Sequence, residues 1–204
     1  MAFIDNLAFS LFAISMAGFL LLYVISSMYF VYKKKRKDFT DYLDSLSIPM
    51  AILGLFILIT GLWGQFTWPL PGSYNILFYD PLVAFGIILL SFSAAIRFKA
   101  RLEYVGVLSL MSGLMVIVYG IEGYGIGLTS APIALFGMYF FYGAAGILGY
   151  PVSLIVDRLP GLQKNVWIGW EVLLILFWLA LLGASILAAV VAGAAIPAHL
   201  LTPP

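Results

Sequence analysis

The chain has 204 residues, of which 64% are hydrophobic and only 9% are charged. Soluble domains carry about a quarter charged residues, so this composition excludes an ordinary soluble fold and indicates a protein that is surrounded by lipid. Cysteine is absent and histidine occurs once, which excludes disulfides, thiolate chemistry and a histidine-rich metal site within one chain. The apolar runs are continuous rather than alternating. Because backbone amides in hydrocarbon must be satisfied internally, an all-α membrane fold is predicted.

Six apolar runs follow one another and predict six transmembrane helices in a single domain, 1–204. The approximate predicted ranges are 8–32, 48–66, 81–97, 104–122, 131–156 and 166–196. The apolar cores of the second and third runs are short against the roughly 20 residues that cross a bilayer. These two helices are therefore expected either to extend into their flanks or to thin the bilayer locally.

All ten lysines and arginines follow the first, third and fifth runs. They are Lys33, Lys34, Lys35, Arg36, Lys37, Arg97, Lys99, Arg101, Arg158 and Lys164. If each run crosses once, these clusters share one face of the membrane, which the positive-inside rule makes cytoplasmic. The prediction is a multi-pass protein of the cell membrane with both termini on the exported side. If the second and third runs did not fully cross, this orientation would be unchanged, because removing two crossings preserves parity.

The segment between the second and third runs, 64–81, is the most distinctive stretch and is predicted to form a loop on the exported side. Its candidate residues for a mouth or a headgroup site are Gln65, Thr67, Trp68, Ser73, Tyr74 and Asn75. The alternative is that the polar groups satisfy the backbone of the loop itself. Asp80 precedes Pro81 at the start of the third run, which is the pattern of an N-cap followed by proline at the first helical position.

Three carboxylates are candidates for a proton or ion pathway: Asp80, Glu122 and Glu171. Glu122 ends the fourth run, where the helix dipole disfavours an anion, so it is expected to need a partner or a proton. The alternative is an interfacial carboxylate that reaches water. Glu171 enters the first turns of the sixth run, where the dipole favours it and a basic side chain could pair with it.

Small residues recur at four-residue spacing in the sixth run. One row is Ala184, Ala188 and Ala192, and the other is Ser185, Ala189 and Gly193. Such rows let helices approach closely in lipid, and they fit either packing within the chain or contact between subunits. The many aromatic residues of the fifth and sixth runs could clasp an isoprenoid tail or a quinone ring, although such residues more often serve packing or interfacial anchoring.

The sequence contains no phosphate-binding glycine loop, no paired nucleophile and base, no metal-ligand spacing and no nucleic-acid module. Neither enzymatic activity nor a metal, cofactor or nucleic-acid partner is therefore predicted, and membrane lipid is the expected surrounding. The first functional hypothesis is a small transporter or channel-like protein for protons or a small cation. The competing hypothesis is a non-catalytic accessory subunit of a larger membrane complex, for example a respiratory one, that contacts quinone or lipid.

The run from Thr67 to Asn75, TWPLPGSYN, followed by Asp80 and Pro81, resembles the signature of a family of uncharacterised polytopic membrane proteins of about this length, a domain of unknown function found mainly in archaea. The resemblance implies an archaeal source and a conventional multi-helix fold. It carries over no catalytic residue. It adds weight to the outer loop as a functional region.

Overall fold

The computed structural model describes residues 6–35, 40–129, 131–158 and 168–201. The regular structure of these residues is entirely α-helical. The helices are α1 (Asn6–Lys35), α2 (Thr40–Thr67), α3 (Ser73–Arg97), α4 (Glu103–Gly125), α5 (Pro132–Arg158) and α6 (Ile168–Leu201). All six are long and apolar enough to cross a membrane, which confirms the prediction of an all-α, six-helix membrane protein.

Helices α2 and α3 are longer than the sequence indicated. They contain 28 and 25 residues, so both extend into their flanks, and neither is too short to cross a bilayer. The predicted outer loop shrinks to residues 68–72, because α2 continues to Thr67 and α3 already begins at Ser73. Pro81 therefore lies inside α3 and does not open it.

The six helices form a closed ring in chain order: each packs against its neighbours in the sequence, and α6 packs against α1. Consecutive helices run antiparallel. For example, Asp157 at the end of α5 accepts hydrogen bonds from the amides of Leu102 and Glu103 at the start of α4, at 3.0 and 2.9 Å. A carboxylate at a helix N-terminus is also favoured by the helix dipole, so this contact fastens the two helix ends together.

The ring consequently has two distinct ends. The basic end carries the basic side chains that the structure describes, which are Arg97, Lys99, Arg101 and Arg158, and all four are exposed. The aromatic end, where α2 and α4 finish and α3 starts, carries Trp63, Trp68, Tyr74 and Tyr124. Aromatic residues and basic residues are the types that flank hydrocarbon in membrane proteins.

Glycines set the closest helix contacts. A Cβ atom added at Gly113 of α4 would lie 2.6 Å from the carbonyl oxygen of Gly143 in α5, and one added at Gly86 of α3 would lie 2.7 Å from the amide nitrogen of Leu58 in α2. Both contacts are to backbone atoms. The pairs α4–α5 and α2–α3 therefore approach closely only because no side chain stands between them.

The two rows of small residues on α6 have different surroundings. Ala184, Ala188, Ala192 and Ser185 are fully buried, and the Ser15 hydroxyl of α1 donates to the Ser185 carbonyl at 2.8 Å. Ala189 is partly buried, and a Cβ atom added at Gly193 would meet nothing within 4 Å. Enlarging Ala188 would therefore disturb the chain's own packing, whereas Gly193 has space beside it.

Candidate functional site

The ring encloses a cavity of about 1040 Å³. Along α5 it extends from Val156 near the basic end to Met138 toward the aromatic end. At a rise of 1.5 Å per residue this is a length of about 27 Å, close to the thickness of the hydrocarbon core. The cavity lies at the upper limit of the volumes that hold small-molecule ligands, and its length suits an elongated molecule.

The cavity wall is apolar. Leucine, isoleucine, valine, phenylalanine and methionine supply most of it, and the hydroxyls of Ser26, Ser109 and Ser153 donate to backbone carbonyls. Ser109 donates to the Gly146 carbonyl at 3.0 Å, and Ser153 donates to the Tyr150 carbonyl at 2.7 Å. Such a wall offers few groups that could replace the water around a bare ion.

Toward the aromatic end the cavity wall includes Phe78, Pro81 and Tyr139, which we refer to as the floor. Because proline has no amide hydrogen, the carbonyl of Leu77 lacks its usual donor within α3. The hydroxyl of Tyr139, a buried residue of α5, donates a hydrogen bond to this carbonyl instead. The proline inside α3 is thus tolerated because a neighbouring helix satisfies the freed group, and the same bond ties α5 to α3 at the floor.

Asp80 lies directly behind this floor and is partly buried. Its carboxylate accepts one hydrogen bond from the side-chain amide of Gln65 in α2 and another from the hydroxyl of Tyr119 in α4. The prediction that Asp80 caps α3 is wrong, because the helix begins at Ser73 and its N-cap position is Gly72. Asp80 instead joins three helices, and we refer to Asp80, Gln65 and Tyr119 as the aspartate cluster.

Two of the predicted mouth residues hold the backbone of the aromatic end together. Asn75 is 1% exposed. Its side-chain nitrogen donates to the Gly64 carbonyl at 3.0 Å, and its side-chain oxygen accepts from the backbone amide of Leu70 at 3.3 Å. The hydroxyl of Tyr74 donates to the carbonyl of Leu128, beyond the end of α4. Leu70 and Leu128 lie outside the helices, so these two side chains supply hydrogen bonds to backbone groups that no helix pairs.

The other predicted mouth residues are divided between the surface and the interior. The Thr67 hydroxyl donates to the Trp63 carbonyl at 2.7 Å within α2, and Trp68 and Ser73 are exposed at the aromatic end. Gln65 alone turns toward the interior, where it bonds to Asp80 of the aspartate cluster. None of the mouth residues belongs to the cavity wall that the structure describes.

The three candidate acids lie at separate places. Glu122 is exposed near the end of α4 and does not line the cavity, whereas Asp80 lies behind its floor. Glu171 lies in the first turn of α6 and lines the cavity near the basic end. Of the three acids, Glu171 alone belongs to the described cavity wall, so they do not line one common space there.

The roles of Tyr119 and Tyr139 were not predicted from the sequence. Tyr119 donates a hydrogen bond to Asp80, and Tyr139 donates one to the freed carbonyl of Leu77. Both tyrosines stand within apolar runs, where a hydroxyl needs a partner. Pro81 was the corresponding signal in α3, because a proline inside a span frees a carbonyl that some donor must satisfy. Which helix supplies the donor depends on the three-dimensional packing.

The chain belongs to the family described as protein of unknown function (DUF981), whose model matches residues 1–202. Membership of an uncharacterised family is thereby confirmed, while the archaeal source and the weight given to the outer loop stay predictions. No curated protein and no solved structure shows a significant match to the chain.

Proposed function

We propose that this protein is a small membrane transporter whose substrate is an apolar or amphiphilic molecule held in the central cavity. The observation that carries the proposal is the cavity of about 1040 Å³, whose apolar wall runs from Val156 near the basic end to Phe78, Pro81 and Tyr139 toward the aromatic end. A carrier needs a site that is accessible from one side while the other side is shut. We assign the shut side to the aromatic end, where the aspartate cluster and the bond from Tyr139 to Leu77 join four helices.

The proposal keeps the class of the sequence-based hypothesis but changes its substrate. A pathway for protons or a small cation would need acids or carbonyls along its length, as ions do not cross a dry apolar space unaided. Glu122 lies outside the cavity, and both carboxylate oxygens of Asp80 already accept hydrogen bonds. The apolar wall instead favours a substrate with a large hydrocarbon part.

Filling the cavity is the test of this proposal. Ser112 of α4 lines the cavity, whereas the adjacent Met111 is 62% exposed on the outside of the ring. We expect Ser112→Trp to weaken binding of the neutral dye N-phenyl-1-naphthylamine at least about tenfold, which corresponds to about 1.4 kcal/mol. Binding is measured by fluorescence with the protein in nanodiscs and protein-free nanodiscs as the blank.

Met111→Trp is the matched control for this measurement, because it adds the same side chain at nearly the same depth but on the outer surface. It should bind the dye as the unmodified protein does. Equal binding by both variants, or no binding above the blank by the unmodified protein, would show that the cavity is not a ligand site.

We also infer that the basic end faces the cytoplasm, which would place both termini on the exported side. Since the chain has no cysteine, single cysteines report sidedness without background. Ser73 at the aromatic end and Ala100 at the basic end are both exposed. On intact cells a membrane-impermeant maleimide should label Ser73→Cys, and it should label Ala100→Cys only after lysis. The reverse pattern would invert the orientation.

A further inference from the structure

Tyr142 of α5 belongs to the cavity wall and has an unpaired hydroxyl. The hydroxyl oxygen is buried, and it has no hydrogen-bond partner among the residues that the structure describes. Tyr139, one turn earlier on the same helix and in the same wall, differs, because its hydroxyl donates to the Leu77 carbonyl. Buried hydroxyls are hydrogen-bonded in the large majority of native proteins, so the hydroxyl of Tyr142 calls for a partner.

The surroundings of Tyr142 are apolar. Its ring meets the ring of Phe85 in α3 edge to face, with the two centroids 5.7 Å apart. The residue also packs against the two clusters of buried side chains that include Leu82 and Leu135. An ordered buried water makes about three hydrogen bonds, and apolar surroundings offer few besides the one to the tyrosine. A larger molecule, whose apolar part contacts the wall while one polar atom meets the hydroxyl, suits this place better.

Tyr142 lies in the deep part of the cavity. It is one turn from Tyr139 of the floor, and about 21 Å of helix separate it from Val156 near the basic end. Side chains on a helix lean toward its N-terminus, which for α5 is the aromatic end. A polar group bound to Tyr142 would therefore lie close to the floor, with a long apolar space between it and the basic end.

The side chain of Tyr142 can turn at low cost. The residue as a whole is only partly buried, so its accessible surface lies mainly on the ring while the oxygen is covered. Side-chain rotations on binding are common, and a rotation of this kind would bring the oxygen to a ligand. The hydroxyl of Tyr142 breaks no hydrogen bond when it turns, whereas the hydroxyl of Tyr139 would lose its bond to Leu77.

A polar contact is also what selectivity requires. Lipid tails are as apolar as leucine side chains, so a pure hydrocarbon gains little when it leaves the bilayer for the cavity. A buried hydroxyl discriminates better, because it is satisfied only by a ligand that offers it a partner. A carbonyl oxygen is a suitable partner, since it accepts a hydrogen bond without bringing a charge into an apolar space.

We propose that the molecule bound in the cavity carries an uncharged carbonyl group that accepts a hydrogen bond from Tyr142, while its hydrocarbon part extends toward Val156. This inference rests on the proposed cavity binding and names the class of substrate. The shared chemistry covers two sources: a long-chain carbonyl compound of the bilayer, such as a quinone with a hydrocarbon tail, or a compact ketone taken from water.

Benzophenone and diphenylmethane test the carbonyl, because they are nearly equal in size and shape and differ in that group. Each displaces N-phenyl-1-naphthylamine from the protein in nanodiscs, with corrections for its partition into protein-free nanodiscs and for the affinity of each variant for the dye. We expect Tyr142→Phe to weaken benzophenone binding about fivefold, which corresponds to about 1 kcal/mol. Diphenylmethane binding should be unchanged in the same variant.

Tyr150→Phe is the matched control, because Tyr150 lies on the same helix but outside the described cavity wall. It should bind both compounds as the unmodified protein does. Tyr142→Phe itself should be at least as stable as the unmodified protein in denaturant unfolding, since it removes a hydroxyl that has no bond to lose. A clear loss of stability would show that the hydroxyl has a partner within the protein, and would overturn the inference.

The inference is also overturned if Tyr142→Phe binds benzophenone as the unmodified protein does, or weakens both compounds equally. Dye binding that is lost in Ser112→Trp would then still support the cavity as a ligand site. No dye binding by the unmodified protein, together with no binding of benzophenone, would overturn both proposals.

Two phenyl ketones separate the sources of the ligand. Acetophenone is compact, and octadecanophenone carries the same group on a long alkyl chain. Stronger displacement of the dye by octadecanophenone, at equal concentrations in the bilayer, supports a long-chain compound of the membrane. Equal displacement supports a compact ketone. Displacement by neither would show that the cavity does not accept the proposed class of ligand.

Discussion

The Gly113→Ala variant is expected to lose about 2–3 kcal/mol of stability, although it adds a single methyl group. The new Cβ atom would lie 2.6 Å from the carbonyl oxygen of Gly143 and 2.7 Å from the amide nitrogen of Ile147. Both are backbone atoms of α5, so neither can move aside without separating the two helices. Because α4 and α5 both line the cavity, ligand binding should fall as well. Unfolding by denaturant in detergent measures the stability.

Gly125→Ala is the control within the same helix. A Cβ atom there would meet nothing within 4 Å, and alanine favours helix over glycine by up to about 1 kcal/mol. This variant should be as stable as the unmodified protein or slightly more so. If Gly113→Ala unfolded at the same denaturant concentration as Gly125→Ala, the close contact of α4 with α5 would be refuted.

The number and type of the helices could be predicted from the sequence, because membrane solubility imposes continuous apolar runs that need no knowledge of packing. Which face of each helix points inward could not be predicted in the same way. The helices are apolar all round, so lipid-facing and cavity-facing residues look alike. Only small residues mark a face, as Gly143 and Gly146 do where α5 meets Gly113 of α4.

The start of α3 shows where a local pattern fails. Aspartate followed by proline is typical of a helix start, yet Asp80 and Pro81 lie inside the helix. The contacts that make this possible come from Gln65, Tyr119 and Tyr139. Gln65 and Tyr119, which bond to Asp80, lie 15 and 39 residues from it along the chain. Tyr139 lies 62 residues from Leu77, whose carbonyl it bonds. No short window of sequence contains those partners.

The cavity is a further property that emerges only from packing. It lies at the centre of the ring, and its wall combines residues from all six helices. Glu171 was a candidate from the sequence, but Glu122 was the acid expected to need a partner or a proton. The position of Glu171 on the inward face of α6, and of Glu122 on the exposed surface of α4, separates their roles.

The aspartate cluster is expected to show coupling between Asp80 and Tyr119 of roughly 1–1.7 kcal/mol in a double-mutant cycle. Hydrogen bonds to charged groups contribute about 1.5–3 kcal/mol in soluble proteins, whereas polar contacts between membrane helices average about 0.6 and reach about 1.7 kcal/mol. The charged acceptor places this pair in the upper part of the membrane range. Tyr119→Phe should therefore destabilise the protein that contains Asp80 and have little effect on Asp80→Leu, as measured by denaturant unfolding in detergent.

Tyr104→Phe on the same helix is the control, because Tyr104 is 65% exposed and removing its hydroxyl should be neutral in both backgrounds. The cycle also bears on transport, since Asp80 adjoins Pro81 in the cavity floor. If the cluster holds the floor shut, Tyr119→Phe should increase access of a water-soluble maleimide to a cysteine placed at Phe78. Zero coupling together with unchanged access would show that the hydrogen bond from Tyr119 to Asp80 does not hold the floor shut.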